Sequence, residues 1–192
     1  MTELRKVGYR DGSVDLTALH AHPQDAIRAA VAIYPTFMNS TPAVEMKARQ
    51  LVDAGYAVLI GDFYGPEAPE NPEEAFAAMR TLRSDPPAMR QRLGATLDLL
   101  RTLHPDLPHL AIGFCLGGMA VLEMARAGQD LVAVCSFHGM LETSLPANDP
   151  IKPRILVCHG DADSLVPRPQ VLAFWEEMDA IGADWHFHSY AG

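Results

Sequence analysis

The sequence predicts a single α/β domain with a mostly parallel central sheet and helices on both of its faces. Short apolar runs of strand length alternate along the chain with longer stretches of helical periodicity, and this alternation is typical of parallel α/β folds. A length of 192 residues is usual for one domain. No linker or repeat separates a second unit, so we expect one domain over residues 1–192.

The elements predicted for the first half begin with an antiparallel hairpin. Asp11-Gly12 is a strong turn signal between its two strands, and Gly55 is a typical residue after the end of a helix. Residues 85–87, with two consecutive prolines, divide a long helical pattern. In order, we predict strands at 4–9, 13–20 and 29–34, a helix at 43–54, a strand at 56–60 and two helices within 72–103.

The second half continues the alternation. Leu110-Ala111-Ile112 has the character of the end of a buried strand, and an apolar helical pattern follows from Met119. The later elements are predicted as strands at 131–137 and 154–158, a helix at 169–180 and a strand at 184–190.

A G-x-C-x-G motif connects that buried strand to the helix that follows it, in Gly113-Phe114-Cys115-Leu116-Gly117-Gly118. A strand that turns directly into a helix needs small residues around the turn, because the backbone there is strained and close to its neighbours. The pattern is that of a nucleophile elbow with cysteine in place of serine. Cys115 would lie at a helix N-terminus, which favours a thiolate, and the Leu116 N–H would face a developing oxyanion. A small buried cysteine is the alternative interpretation of the same residues.

A triad acid is expected on a loop after a later strand, because nucleophile, acid and histidine follow in that order in such folds. Asp163 lies just past the strand at 154–158, and Asp161 is its close rival. We favour Asp163, since its offset places it further toward the cleft. The other aspartate would then bind local backbone groups, as is common in loops.

With these motifs in place, the chain resembles the dienelactone hydrolase family of the α/β-hydrolase fold. The resemblance is carried by the elbow and by H-G-x-x-D-x-x-V-P at 159–167, and it extends in order over nearly the whole chain. It implies a hydrolase of ester or lactone bonds in which Cys115 forms an acyl-enzyme, a histidine relays protons and Asp163 orients that histidine. It also implies an oxyanion hole built from the N–H of Leu116 and an N–H of Thr36 or Phe37. Further agreement occurs at Gly55-Tyr56, 62–65, 137–139 and 185–192.

Two departures from the family pattern affect the expected chemistry. The glutamate that helps to activate the cysteine in well-known members has no counterpart in Tyr34-Pro35-Thr36-Phe37, so Cys115 would depend more on the helix dipole and the histidine.

The family's catalytic histidine follows a stretch like Ser189–Gly192 by a few residues, and no residue of this sequence matches it. We therefore hypothesise a longer natural chain whose last loop and terminal helix follow Gly192; a stop codon directly after Gly192 would contradict this.

Other residues of the sequence are weaker candidates for the site. A structural role is the favoured interpretation of each histidine that could substitute for the missing one, because buried histidines usually serve to satisfy a partner. His138, at the cleft end of its strand, is the one to test and would line the substrate pocket, as would Tyr64. The histidines considered are His138, His159, His186 and His188.

Composition and charge narrow the classes of partner. A net charge of −9 disfavours nucleic acid and anionic membranes, and no apolar run approaches the roughly 20 residues of a membrane span. The three cysteines form no C-x-x-C pair, so we expect no disulfide framework, metal site or cofactor.

We expect a cytoplasmic protein that acts on a small-molecule ester or lactone, with the oligomeric state left open. The alternatives are a catalytically incomplete fold that acts as a binding module and a redox-sensitive thiol protein using Cys115.

Overall fold

The computed structural model describes residues 2–12 and 14–191 and builds them around one eight-stranded sheet. The strands are β1 Arg5–Asp11, β2 Val14–Ala21, β3 Ala30–Tyr34, β4 Ala57–Ile60, β5 His109–Phe114, β6 Ala133–Phe137, β7 Arg154–Gly160 and β8 Trp185–Tyr190. The helices are α1 Pro42–Asp53, α2 Pro72–Arg83, α3 Pro86–Leu103, α4 Leu116–Arg126 and α5 Arg168–Ala180, with a short 3-10 helix at Gly65–Glu67.

The strands lie in the order β1-β2-β4-β3-β5-β6-β7-β8. The first two pairings, β1 with β2 and β2 with β4, are antiparallel, and all the others are parallel. The predicted mostly parallel α/β fold is therefore confirmed. Because the parallel strands point the same way, their carboxyl ends meet at one edge, where ligands of such sheets usually bind.

Apolar cores lie on both faces of the sheet, as predicted. On one face, α1 packs Val44, Ala48 and Val52 against buried residues of β3 and β4. On the other face, α3, α4 and α5 share a larger core. Every residue of α4 is buried, so the helix that follows the candidate nucleophile is held rigidly in the centre of the protein.

Helix α4 begins differently from α1, α2 and α3. Those three helices are capped by Thr41, Asn71 and Asp85, whose side chains accept a hydrogen bond from a first-turn N–H, and each has proline at its start. The N-cap of α4 is Cys115, with φ 57°, and its side chain makes no capping hydrogen bond. The first N–H groups of this helix are therefore not occupied by a cap.

The observed boundaries agree with the predicted ones to within two residues, with one informative difference. Strand β7 continues through His159 and Gly160, which the sequence pattern placed in a loop, because both residues pair with the end of β8. The predicted start of the second strand at Ser13, and Gly192 at the end of the predicted closing stretch, lie outside the described residues. Among the residues that are described, no helix has the length and hydrophobicity needed to cross a bilayer.

Candidate active site

The turn from β5 into α4 places Cys115 at the carboxyl edge of the sheet. Its φ of 57° lies in the left-handed region, and its N–H donates to the Phe137 carbonyl at 2.9 Å. A Cβ on Gly113 would overlap the Gly117 carbonyl, and a Cβ on Gly117 would overlap the carbonyl of Tyr34. Both positions therefore require glycine, because backbone contacts backbone there.

The same close approach brings the start of α4 next to the loop after β3. The N–H groups of Leu116, Thr36 and Phe37 donate to no acceptor within residues 2–12 and 14–191. A tight turn shapes the loop, since the Asn39 N–H donates to the Thr36 carbonyl at 2.9 Å. The structure thus brings together the segments that carry the three predicted oxyanion donors, with their N–H groups unpaired.

Asp62 fixes this loop to the end of β4. The residue is 7% exposed. Its carboxylate accepts hydrogen bonds from the N–H groups of Thr17, Tyr64 and Gly65 and from the Asn39 side chain, at 2.8 to 3.0 Å. The side-chain oxygen of Asn39 in turn accepts a hydrogen bond from the Phe63 N–H at 3.2 Å. Sequence reasoning did not assign a role to Asn39 or Asp62; an aspartate followed closely by glycine at a strand end is the signal of such a turn.

Tyr64 contacts the loop after β3 and is close enough to Cys115 for a thiolate there to affect it. Its hydroxyl donates to the Phe37 carbonyl at 2.8 Å. Burial, followed by the charge of a Cys115 thiolate, raises the pKa of Tyr64 well above its ordinary value. The phenol therefore keeps its proton and holds the loop that carries two candidate oxyanion donors.

The two rival aspartates have different surroundings. The Asp163 side chain is 8% exposed, and its Oδ2 lies 2.7 Å from Nδ1 of His138, while its Oδ1 accepts from the Leu165 N–H at 2.9 Å. Asp161 is exposed and pairs with Arg168 at 2.9 Å. Asp163 is thus the carboxylate that faces a histidine at the sheet edge, and Asp161 belongs to the surface.

The other candidate histidines lie away from this arrangement. His159 is buried, with its ring centroid 5.5 Å from that of Phe187. His186 and His188 are exposed on β8. Of the four candidates, His138 is the one paired with the acid.

Comparison with known proteins identifies the family. The sequence model of the dienelactone hydrolase family matches residues 15–192. The chain belongs to the dienelactone hydrolase family.

Related proteins agree with this placement. The dienelactone hydrolase family fold is shared with the solved structure of m3DLH, which is 32% identical with a TM-score of 0.90 over 98% of this chain and 81% of that one. A dienelactone hydrolase-like promiscuous phosphotriesterase, P91, from metagenomic libraries is 29% identical, with a TM-score of 0.90 over 100% of this chain and 82% of that one. A carboxymethylenebutenolidase homologue from Mus musculus is 24% identical over 81% of this chain. The chain spans 64% of the length of the curated relatives that it matches.

In this dienelactone hydrolase family chain, the remaining cysteines are separate from the elbow. Cys135 and Cys158 lie on the neighbouring strands β6 and β7, and burial together with Cys158 raises the pKa of Cys135 to about 12. Cys135 therefore remains a protonated thiol. Within the described part of the chain, no three His, Cys, Asp or Glu side chains are arranged to hold a metal ion.

A cavity of about 580 Å³, lined in part by Tyr64, lies between the β1–β2 hairpin, α2 and α3. Phe63, Met89 and Arg92 contribute to its lining, but Cys115, His138 and Asp163 do not. The candidate site is therefore distinct from this cavity and shares only Tyr64 with it.

Proposed function

We propose that this chain is a hydrolase of small ester or lactone substrates that works through an acyl-enzyme on Cys115. Membership of the dienelactone hydrolase family supports a hydrolase. The observation that carries the proposal is the position of Cys115 at the uncapped N-terminus of α4, beside the unpaired N–H groups of Leu116, Thr36 and Phe37. The net charge of −9 supports a small-molecule substrate over a nucleic acid.

In the proposed first half-reaction, the Cys115 sulfur attacks the carbonyl carbon and the carbonyl oxygen becomes an oxyanion. The N–H of Leu116 and that of Thr36 or Phe37 donate to this oxyanion, which is the group whose charge grows in the transition state. Collapse of the tetrahedral intermediate breaks the C–O bond and leaves the acyl group on sulfur. A histidine takes the thiol proton and passes it to the leaving alkoxide, and Asp163 orients that histidine.

In the second half-reaction, water gives a proton to the same histidine and attacks the acyl carbon. The C–S bond breaks, the carboxylic acid departs and the proton returns to sulfur. Helix α4 supports both halves, because its N-terminus favours negative charge on the sulfur and on the oxyanion. No carboxylate from Tyr34–Phe37 is needed in this scheme.

Hydrolysis of p-nitrophenyl acetate by the purified chain tests the proposal. We expect Cys115→Ala to lower kcat/KM about 1,000-fold or more, because the acyl acceptor is removed. Cys135→Ala is the matched control and retains the activity. Mass spectrometry after rapid acid quench is expected to find the acetyl group on Cys115. Turnover that persists in Cys115→Ala would contradict the proposal, as would absence of turnover both in this chain and in a form extended past Gly192.

A further inference from the structure

The cavity between the β1–β2 hairpin, α2 and α3 measures about 580 Å³, which is a typical size for a site that binds a small molecule. The buried side chains of Phe63, Tyr64 and Met89 belong to its lining and give it an apolar floor. Cys115 is not part of the lining. The cavity is therefore a second concave site of the molecule, apart from the proposed chemistry at the elbow.

Contacts within the protein hold the walls of this cavity in place. Arg92 of α3 forms an ion pair with Asp11 of the hairpin and donates to the Phe63 carbonyl at 2.8 Å. Gly65 has φ 67°, and a Cβ added there would lie 2.5 Å from the Asp15 carbonyl, so the 3-10 helix contacts the hairpin directly. Because the walls are fixed in this way, binding does not have to order them, and affinity is not spent on that step.

The side-chain donors of the lining make hydrogen bonds within the protein. The Tyr64 hydroxyl donates to the Phe37 carbonyl at 2.8 Å, and the Thr81 hydroxyl donates to the Ala77 carbonyl at 3.2 Å. Arg92 is the one basic residue among the described lining residues, and its ion pair with the hairpin compensates its charge. The lining therefore offers little attraction to an anionic ligand.

Carboxylates from three separate elements form an acidic rim around the same cavity. Asp15 belongs to β2, Glu67 to the 3-10 helix and Asp85 to the N-cap of α3, and all three residues are exposed. Asp15 pairs with the exposed Arg10, whereas neither of the other two forms an ion pair with a described residue. One oxygen of Asp85 accepts from the Ala88 N–H at 3.0 Å, which leaves its second oxygen for a ligand. An apolar cavity with a negative rim attracts a cation whose body is apolar.

We propose that this cavity binds an amine with an apolar body. The ammonium group lies at the carboxylates of Glu67 and Asp85, and the body packs against Phe63, Tyr64 and Met89. An alkylamine is protonated near neutral pH, so it supplies both the positive charge and the donor hydrogens that the rim accepts. Burial of the apolar body provides the affinity, and the rim selects for charge. The proposal goes beyond the proposed hydrolysis and is independent of it.

Fluorescence titration with dansylcadaverine tests the ligand class, because this probe joins a naphthalene ring to a primary amine and brightens in apolar surroundings. N-pentyldansylamide is the matched neutral analogue, and dansyl-6-aminohexanoate is the matched anion. We expect the Kd of the amine to be about tenfold lower than that of the neutral analogue at low salt, and the anion to bind most weakly. Added salt should reduce these differences, because exposed charges are screened. Equal Kd values for the three ligands would overturn the proposal.

Neutralising the rim tests the role of its carboxylates. Glu67→Gln combined with Asp85→Asn removes two charges, and asparagine is as good an N-cap as aspartate, so α3 keeps its start. We expect the Kd of dansylcadaverine to rise about fivefold and that of the neutral analogue to stay within about twofold. Glu73→Gln combined with Glu176→Gln is the matched control, since it changes the net charge equally at exposed residues outside the cavity. Equal effects of the two double variants on the amine would contradict the role of the rim.

Filling the cavity tests the location. Ala78 of α2 is half-buried and Ala88 of α3 is exposed, and both line the cavity, so phenylalanine at either position occupies its space. We expect Ala78→Phe and Ala88→Phe each to raise the Kd of dansylcadaverine about tenfold or more. Ala77→Phe is the matched control, because Ala77 is an exposed residue of α2 that does not line the cavity. Amine binding that is retained in both cavity variants, or lost equally in Ala77→Phe, would overturn the proposed site.

Discussion

Asp161 and Asp163 are two residues apart in one loop, and the fold uses them for different purposes. Asp163 is enclosed at the sheet edge with its Oδ2 against His138, whereas Asp161 forms an exposed ion pair with Arg168. A carboxylate that is enclosed beside an imidazole can orient that ring. An exposed ion pair contributes little, because solvent screens it.

Substitution of each aspartate by asparagine separates these roles. We expect Asp163→Asn to lower kcat/KM for p-nitrophenyl acetate about 1,000-fold or more, since the amide favours the wrong imidazole tautomer. We expect Asp161→Asn to change it by about twofold or less. Asparagine has nearly the same shape as aspartate, so neither substitution should disturb the fold. Steady-state kinetics at pH 7.5 is therefore a sufficient measurement. Equal losses in both variants would contradict the assignment of the acid.

For individual residues, the sequence predicts a role where that role depends on neighbours in the chain. Cys115 is identifiable because the glycines that its turn requires are adjacent to it. Asp163 could be ranked above Asp161 only by its offset from a strand. The contacts of Asn39 with Asp62 and of His138 with Asp163 are not predictable in this way, because the members of each pair are distant in sequence and meet only through the sheet.

Among the secondary-structure elements, the start of α4 is the most constrained. Its first turn contacts the loop after β3 through Gly117 and the turn after β6 through Gly118, in both cases backbone against backbone. A backbone contact cannot be relieved by a change of side-chain rotamer. The relative positions of these three segments are therefore fixed by the glycines of the elbow.

Alanine at Gly117 tests this constraint. Its Cβ would overlap the Tyr34 carbonyl, so we expect the free energy of unfolding to fall by about 3 kcal/mol or more, together with the proposed activity on p-nitrophenyl acetate. Gly94→Ala in α3 is the matched control, since a Cβ there meets nothing within 4 Å. It should raise the free energy of unfolding by up to about 1 kcal/mol through helix propensity. Urea denaturation measures both; equal stability of the two variants would contradict the role of Gly117.

The elements themselves were largely predictable, because apolar periodicity and proline and glycine punctuation are local signals. The extension of β7 through His159 and Gly160 was not. Those residues are extended because Ser189 and Tyr190 of β8 pair with them, and pairing between distant segments leaves no local pattern. Strand ends at a sheet edge are for this reason the least predictable parts of the site.

Across the whole molecule, the amino edge of the sheet carries a second histidine group, opposite the candidate site. His20 Nε2 lies 2.9 Å from His104 Nε2, with His22 and Arg5 nearby. Burial, followed by repulsion from His104, His22 and Arg5, lowers the pKa of His20 to about 4, and burial also lowers that of His104. Both rings are therefore neutral in the folded protein near neutral pH.

This group makes the fold sensitive to mild acid. An unfolded histidine has a pKa near 6.5, so between that value and about 4 the unfolded chain binds a proton at His20 that the folded chain does not. The stability from neutral His20 is full above about pH 6.5 and is lost as the pH falls toward about 4. Since the ring is partly exposed, we expect a loss of only about 1 kcal/mol between pH 7.5 and pH 5.

Urea denaturation at these two pH values measures the effect. The loss of unfolding free energy on acidification should be about 1 kcal/mol smaller in His20→Asn than in the unsubstituted chain. His186→Asn, an exposed change on β8, should leave that loss unchanged. The same loss in His20→Asn as in the unsubstituted chain would show that His20 does not contribute.

The contact of Gly117 with the Tyr34 carbonyl affects how this protein can evolve. Because main-chain atoms make that contact, mutations in the side chains that surround a substrate leave the spacing between the sulfur and the facing amides intact. Selection can then alter which molecules are accepted by replacing side chains around the elbow, one at a time, without rebuilding the reactive centre. In a library of random variants, we expect the elbow glycines to tolerate the fewest substitutions. Changes in substrate preference should arise instead at the side chains around the site.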